Sequence, residues 1–458
     1  MSLFVLEFND AGLRLSDEQG IVLSSPGYAL VLPKRIEFGE KALSQSRINP
    51  LNSYNQFWHK LSLDPFSRPV AHYRHNADLA FSHLQDLAET AALEGDVLLA
   101  VPGSFSREQM GILLGLIRQG PFRAVGIVDS GLAATVDQAY QESLIHVDLQ
   151  LHQVVLSKLQ RSGDELRRDS VVVVPGTGWV NLTDSLIQLA TNAFIQQCRF
   201  NPQHNAESEQ MLLDGIPQWL RDEAALLTQD EDDRRSIEIR LPHNNTVHVA
   251  NLPRSALSTR LQSYYQKVLQ QLQLLDPTQS SALILSDRLQ TLPGLREVLQ
   301  GRDIRVLPED AIAAACLRYR DTLSSAPEAV RFVSQMRSKA TASEQAAVPP
   351  ENARAAPTHV LLQHQAHRLG NGLLICRDDT GRLSVHPVRK DRQHAAQDLH
   401  TAGEIVWRDG HFELQASAGL QLNERAVDTP QALGLGDRIR VKGVSEVLEL
   451  IRVQDHDE

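Results

Sequence analysis

Short apolar runs alternate with helical periodicity through the first three-quarters of the chain. Residues 3–8 (LFVLEF) read as a buried strand, followed by a turn at 9–12 and a second strand. The run 97–101 (VLLAV) is closed by Pro102 and Gly103, which is the pattern of a strand inside a covered sheet. Met110, Leu113, Leu114 and Ile117 then repeat at spacings of three and four and mark one face of a helix. A strand at 124–128 and a helix from about Leu132 follow, and 144–159 patterns as a hairpin. Four valines at 171–174, closed by Pro175 and Gly176, predict a strand leading into a helix that runs to about Gln197. Short strands at 282–285 and 304–306 flank another helix, with a closing helix from Pro308. Strands alternating with helices predict α/β layers.

The periodicity disappears over 335–357, where alanine, proline and polar residues dominate, so this stretch is expected to be a flexible linker. Residues 358–458 instead alternate apolar and polar positions in short pieces, at 359–362, 373–375, 404–407, 411–414, 438–441 and 448–451. Turn signals such as Asp379-Thr380-Gly381 and Asp409-Gly410 separate them, which predicts a small all-β sandwich. The expected organisation is therefore an α/β region over 1–334, a linker, and a β domain over 358–458. No internal repeat stands out at a period of roughly 20–50 residues.

Composition narrows the function classes. The 458 residues exceed what one compact core usually holds. A net charge of -11 without a concentrated basic face argues against nucleic-acid binding. Cys198, Cys316 and Cys376 are isolated, so neither a C-x-x-C metal site nor a disulfide framework is expected, and a reducing compartment is. Glu7 and Asp10 interrupt the N-terminal segment where a signal peptide stays apolar. No apolar stretch approaches the roughly 18 residues that span a bilayer. These features predict a soluble cytoplasmic protein.

The stretch LLAVPGSFSREQMGILLGLIRQGPFRAVGIVDSGLAATVDQAY, ending at Tyr140, resembles the seventy-kilodalton heat-shock chaperone family. There a V-P-x-x-F strand end leads into a helix and then to an I-N-E-P-T-A-A-A segment. Phe38-Gly39-Glu40-Lys41-Ala42, Asn49-Pro50, Phe57-Trp58-His59-Lys60-Leu61 and Ala193-Phe194-Ile195 fall in the family's order, as does the 282–299 strand-helix pair. The likeness covers about residues 1–325. It implies an actin-like, two-lobed ATPase fold that would grip ATP and Mg²⁺ between two hairpin turns.

Both turns depart from the family's pattern. Backbone amides in such turns cradle phosphate, and glycine is needed because a Cβ would occupy the phosphate's space. The family's D-L-G-T-T-N-S aligns with Glu7-Phe8-Asn9-Asp10-Ala11-Gly12-Leu13, so Asn9 replaces the glycine and Asp10 brings negative charge toward the phosphate site. The family's D-L-G-G-G-T-F-D aligns with Asp148-Leu149-Gln150-Leu151-His152-Gln153-Val154-Val155, without any of its glycines. The adenosine-side V-G-G-S-T-R becomes Ile284-Leu285-Ser286-Asp287-Arg288, and the phosphate-contacting lysine falls on His59. Glu7, Asp129 and Asp148 stand where the family keeps acids for metal and attacking water, two of them altered in length, which displaces a charge by about a methylene. The expectation is a degenerate cleft comprising Glu7, Asn9, Asp129, Asp148, Gln150, Ser286 and Asp287, with no catalytic residue, bound cofactor or metal. A cleft that still holds ATP and Mg²⁺ is the alternative.

Other signals carry less. Pro175-Gly176-Thr177-Gly178 looks like a phosphate loop but lacks its remaining glycine and lysine, and reads as a plain turn. His72, His75 and His83 read as surface histidines and not as metal ligands. The run from Asp230 to Asp233 with Arg234 and Arg235 reads as a solvated loop tip, and no Ser/His/Asp or Cys/His constellation assembles.

The β domain is similar to forkhead-associated domains at His411-Phe412-Glu413-Leu414, Gly419-Leu420-Gln421-Leu422-Asn423 and Leu435-Gly436-Asp437-Arg438-Ile439. Of that family's phosphothreonine-reading positions only Asn423 survives. The arginine falls on Asn371, the serine and histidine on Leu399 and Ala402, and a glycine on Glu424. Without the arginine the charge-assisted grip on phosphate is missing, so a docking sandwich is expected, with Trp407, Phe412, Leu414, Leu422 and Ile439 facing inward. Together these readings predict a catalytically inactive scaffold or adaptor that binds other proteins and neither nucleic acid nor membrane. A chaperone-like ATPase and a phosphopeptide adaptor are the alternatives.

Overall fold

The computed structural model describes residues 3–93, 95–120, 122–138, 142–226, 236–325, 330–338, 357–363, 365–369, 372–377, 382–387, 400–408, 411–415, 419–423, 425–427, 430–442, 444 and 446–451. The chain is mixed α/β with several sheets, and it divides into two units, Met1–Ala347 and Val348–Glu458.

In the first unit, Leu3–Glu7 (β1), Leu13–Asp17 (β2) and Gly20–Ser25 (β3) fold as successive antiparallel hairpins. Asp96–Val101 (β4) and Arg123–Asp129 (β5) then add in parallel beside β1, in the order β3-β2-β1-β4-β5. Alternate side chains point to opposite faces. Val97, Leu99 and Val101 pack with helices Asn76–Thr90 (α1) and Arg107–Gln119 (α2), while Leu98 and Ala100 face the other way into a separate cluster. Burial on both faces is why β4 reads as an unbroken apolar run. A capping box starts α2: Ser106 Oγ accepts from Gln109 N, and the Gln109 side chain accepts from Ser106 N. Ser130–Thr135 (α3) follows β5 directly.

The second sheet repeats this order. Ser143–Leu149 (β6), Gln153–Ser162 (β7) and Glu165–Pro175 (β8) are antiparallel neighbours, so the expected hairpin is present. Helices Trp179–Cys198 (α4), Ala206–Leu226 (α5) and Arg254–Leu275 (α6) come next. Ala282–Leu285 (β9) and Ile304–Val306 (β10) add in parallel beside β6, giving β10-β9-β6-β7-β8. One face of this sheet carries Ile145, Val147 and Leu149 into a core with α4, α5 and α6. The other face meets the first sheet across α3 and Ala311–Arg318 (α7), where Val5, Leu98, Leu144, Ile284, Leu132 and Cys316 form one cluster.

The stretch expected to be a linker begins as strand. Phe332–Val333 (β11) pairs with β5, and Gln335–Arg337 (β12) pairs with β8 and buries Met336. Backbone pairing needs little apolar side chain, so the polar composition of 335–338 concealed it. Residues 339–356 of the expected linker lie outside the described residues.

In the second unit, Gln365–Arg368, His359–Leu362, Val447–Ile451, Arg438–Val441, Leu420–Leu422 and Arg425–Ala426 make one sheet, in that order. Leu383–Pro387, Gly372–Arg377, His400–Arg408, His411–Leu414 and Gln431–Leu433 make another. Val360, Ile375, Ile405, Ile439 and Leu448 share their core. Of the expected inward set, Phe412, Leu414 and Ile439 are buried and Leu422 is partly buried, while the Trp407 side chain lies outside the described residues. Among the described residues no helix is long and apolar enough to cross a membrane.

Candidate functional site

The turn after β1 is held by Asn9, whose Oδ1 accepts from Ala11 N at 2.9 Å. Its Nδ2 reaches the second sheet and donates to both carboxylate oxygens of Asp148, at 3.0 and 3.1 Å, and to Leu149 O at 3.0 Å. Asp10, next along, accepts from Leu151 N at 2.7 Å. Burial pushes its carboxyl up to about 6, against the pull of the Leu151 amide and of His152. A carboxylate of the chain itself thus occupies the amide of the β6–β7 turn.

That turn is closed from within. Gln150 N donates to Gln153 O, and the carbonyls of Gln150 and Leu151 accept from Trp179 N and Val180 N at the start of α4, each at 2.9 Å. The Leu151 side chain is 1% exposed and packs with Tyr28, Leu30 and Ala42. Gln150 Oε1 accepts from Gln153 Nε2 at 2.9 Å. Gly178, at the N-cap of α4, stands so close that a Cβ there would lie 2.2 Å from Gln153 N. Thr177 Oγ1 donates to Val174 O and accepts from Val154 N. The 175–178 segment is thus a packed turn whose helix amides are already bonded.

The acids expected to remain from a metal and water site are paired. Glu7 meets Arg288 Nη1 at 3.1 Å, and Arg288 Nη2 also donates to Gly12 O at 2.8 Å. Asp287 forms a two-pronged pair with Arg14, at 3.0 and 2.6 Å. Asp129 caps α3 through Leu132 N and pairs with Arg168 Nη1 at 2.5 Å. Ser286 Oγ accepts a long bond of 3.5 Å from Leu149 N. Burial raises Glu7, Asp148 and Asp129 above the usual carboxylate range, with Arg288 opposing it for the first two and Arg168 for the third. His146 is 1% exposed. Burial lowers its ring to about 4 despite the charges of Asp129, Glu7 and Asp287.

Of the expected cleft residues, Asn9 therefore meets Asp148, and Gln150 is packed into the turn beside them. Glu7 and Asp287 lie on Arg288 and Arg14, and Asp129 on Arg168. Sequence reasoning passed over Arg14, Arg168 and His146, and named Arg288 without its pairing to Glu7. Their partners are distant in the chain, and a lone arginine carries no signal of what it will meet. Beside the turn is a cavity of about 110 Å³, lined among others by Phe8, Asp10, Trp58, His59, Phe105 and Gln150. His59 borders it, lowered by burial and then by His152, whose ring centroid is 5.2 Å away.

His83 is not on the surface. It is fully buried in the core against Phe38, accepts from Trp58 Nε1 at 3.0 Å and lies 2.8 Å from Ser25 Oγ. Burial lowers its ring to about 3. His72 is exposed, and His75 caps α1 through Asp78 N. Among the described residues no three His, Cys, Asp or Glu side chains converge to hold a metal.

In the second unit, Asn423 donates to Asp437 Oδ1 at 2.9 Å and accepts from Arg438 N at 3.0 Å, so it ties two strands together. Asn371, Leu399 and Glu424 lie outside the described residues, as do 227–235, which include the expected acidic loop tip. No protein-family model matches the chain, and no curated protein matches it in sequence.

Proposed function

We propose that the first unit is an actin-like pseudo-ATPase and that the protein works as a scaffold or adaptor binding other proteins. The repetition of one strand order in two sheets packed across α3 and α7 supports the actin-like reading. The observation that carries the loss of nucleotide binding is the Asp10–Leu151 bond. It commits a turn amide to an internal carboxylate, and a phosphate entering there would meet that charge. Asn9 on Asp148, Arg288 on Glu7, Arg14 on Asp287 and Arg168 on Asp129 add four further internal pairs. A nucleotide would have to break several of them without glycines to receive it. The second unit, with Asn423 committed to Asp437, fits protein docking better than phosphopeptide reading. The free thiols of Cys198, Cys316 and Cys376 agree with a reducing compartment such as the cytoplasm.

Calorimetric titration of the full chain with Mg-ATP tests this reading. The expected result is no binding heat. A dissociation constant of about ten micromolar or tighter, near -7 kcal/mol, overturns it and favours an active chaperone-like ATPase.

A further inference from the structure

Residues 330–338 contribute an edge strand to each of the two sheets in turn. In β11, Phe332 and Val333 pair in parallel with Ile127 and Val128 of β5. In β12, Gln335, Met336 and Arg337 pair antiparallel with Arg167, Leu166 and Glu165 of β8. This second ladder is extended by Arg168 N donating to Ser334 O and Ser338 N donating to Asp164 O, both at 2.9 Å. Val330 and Phe332 join the core on the outer face of the first sheet, whereas Val333 and Met336 join the cluster between the sheets. Only Ser334 separates the two strands. One residue of extended chain spans about 3.5 Å, so a larger relative sliding of the sheets has to break one ladder.

Arg168 links this strap to the interior. Its guanidinium lies 5.3 Å from the Phe332 ring centroid, while Nη1 pairs with Asp129 at the end of β5. Asp129 is fully buried, so leaving it unpaired would be costly. We propose that the strap is a staple: it fixes the relative orientation of the two sheets, seats Arg168 on Asp129, and keeps the cleft pairs formed without any ligand. This inference rests on the sheet pairing and stands or falls separately from the pseudo-ATPase reading.

The test is hydrogen exchange on the full chain, read at the Leu151 amide. That amide is remote from the strap in sequence and its acceptor, Asp10, belongs to the other sheet. Met336→Asp places a charge in the cluster between the sheets, and Ser338→Pro removes one strap donor with little demand on packing. Each is expected to speed Leu151 exchange by about tenfold or more while the amides of α6 keep their protection. Should Met336→Asp fail to fold, Ser338→Pro decides the matter. Conversely, R167C combined with Q335C, a directly opposed and exposed pair, should oxidise to a disulfide and slow Leu151 exchange below wild type. Unchanged Leu151 exchange with free exchange of β12 overturns the staple, as does failure of the cysteine pair to close.

Discussion

Asp10 is a buried acid whose principal partner is a neutral amide, and that sets a pH dependence of definite sign. Its carboxyl titrates at about 6 in the fold against 3.8 for the ordinary group. The folded chain therefore holds the proton more tightly, and stability is lost as pH rises from about 4 through 6. Asp10→Asn keeps an oxygen for the Leu151 amide and removes the charge. It should stabilise the protein at pH 8 by on the order of 1–3 kcal/mol, with the gain vanishing near pH 4. Urea denaturation at both pH values checks this, and an equal gain at both would exclude the charge as its cause. His83 acts in the opposite sense. Its ring titrates at about 3 against 6.5 for the ordinary group, so the stability it contributes is present above 6.5 and is lost as pH falls. His83→Ala orphans Trp58 Nε1 and leaves a cavity, at a cost of about 2–4 kcal/mol near pH 7.5. By pH 5 that cost should narrow by about 2 kcal/mol, because the variant escapes the protonation penalty.

Among the elements, the β6–β7 turn and the start of α4 are packed backbone to backbone, and glycine substitutions report on this. Gly178→Ala forces a Cβ to within 2.2 Å of Gln153 N. It should cost more than about 3 kcal/mol or prevent folding. Gly111→Ala, in α2 with open space around it, should instead stabilise by about 0.5–1 kcal/mol. Denaturant midpoints of the two variants provide the comparison, and a mild effect at Gly178 would show that the turn yields. Strands such as β4 were legible because burial on both faces writes itself as a continuous apolar run. The absence of glycine at 149–153 was equally legible, since it is local to the turn. What those residues touch was not, because Arg14 and Asp287, or Arg168 and Asp129, meet only through the fold. His83 is an instructive miss. It lies four residues after Leu79 and four before Leu87, on the buried face of α1, so helical spacing pointed inward while the polar start of the helix around Arg74 pointed to the surface. Met336 shows the converse, a single apolar residue whose burial no periodicity could announce.

For the whole molecule, each unit has its own apolar core. Removing 348–458 should leave the urea transition of the first unit in place, and calorimetric scans of the full chain should resolve two transitions. A first unit that unfolds without the second would contradict this. If the β sandwich docks partners, the same truncation should also abolish co-purification with them, whereas retained partners would assign binding to the first unit. Leu151 carries a final consequence for how this molecule can change over evolutionary time. Rebuilding a phosphate-cradling turn requires glycine at that position, yet Leu151 is a shared wall of the small core with Tyr28, Leu30 and Ala42. Leu151→Gly alone would cost roughly 3–5 kcal/mol, a large part of the 5–15 kcal/mol that holds a typical domain together. If the first unit is the actin-like pseudo-ATPase proposed above, a step toward a phosphate-cradling turn at this position thus loses stability before any ligand can restore it. Packing alone therefore holds a large apolar side chain at the tip of this turn.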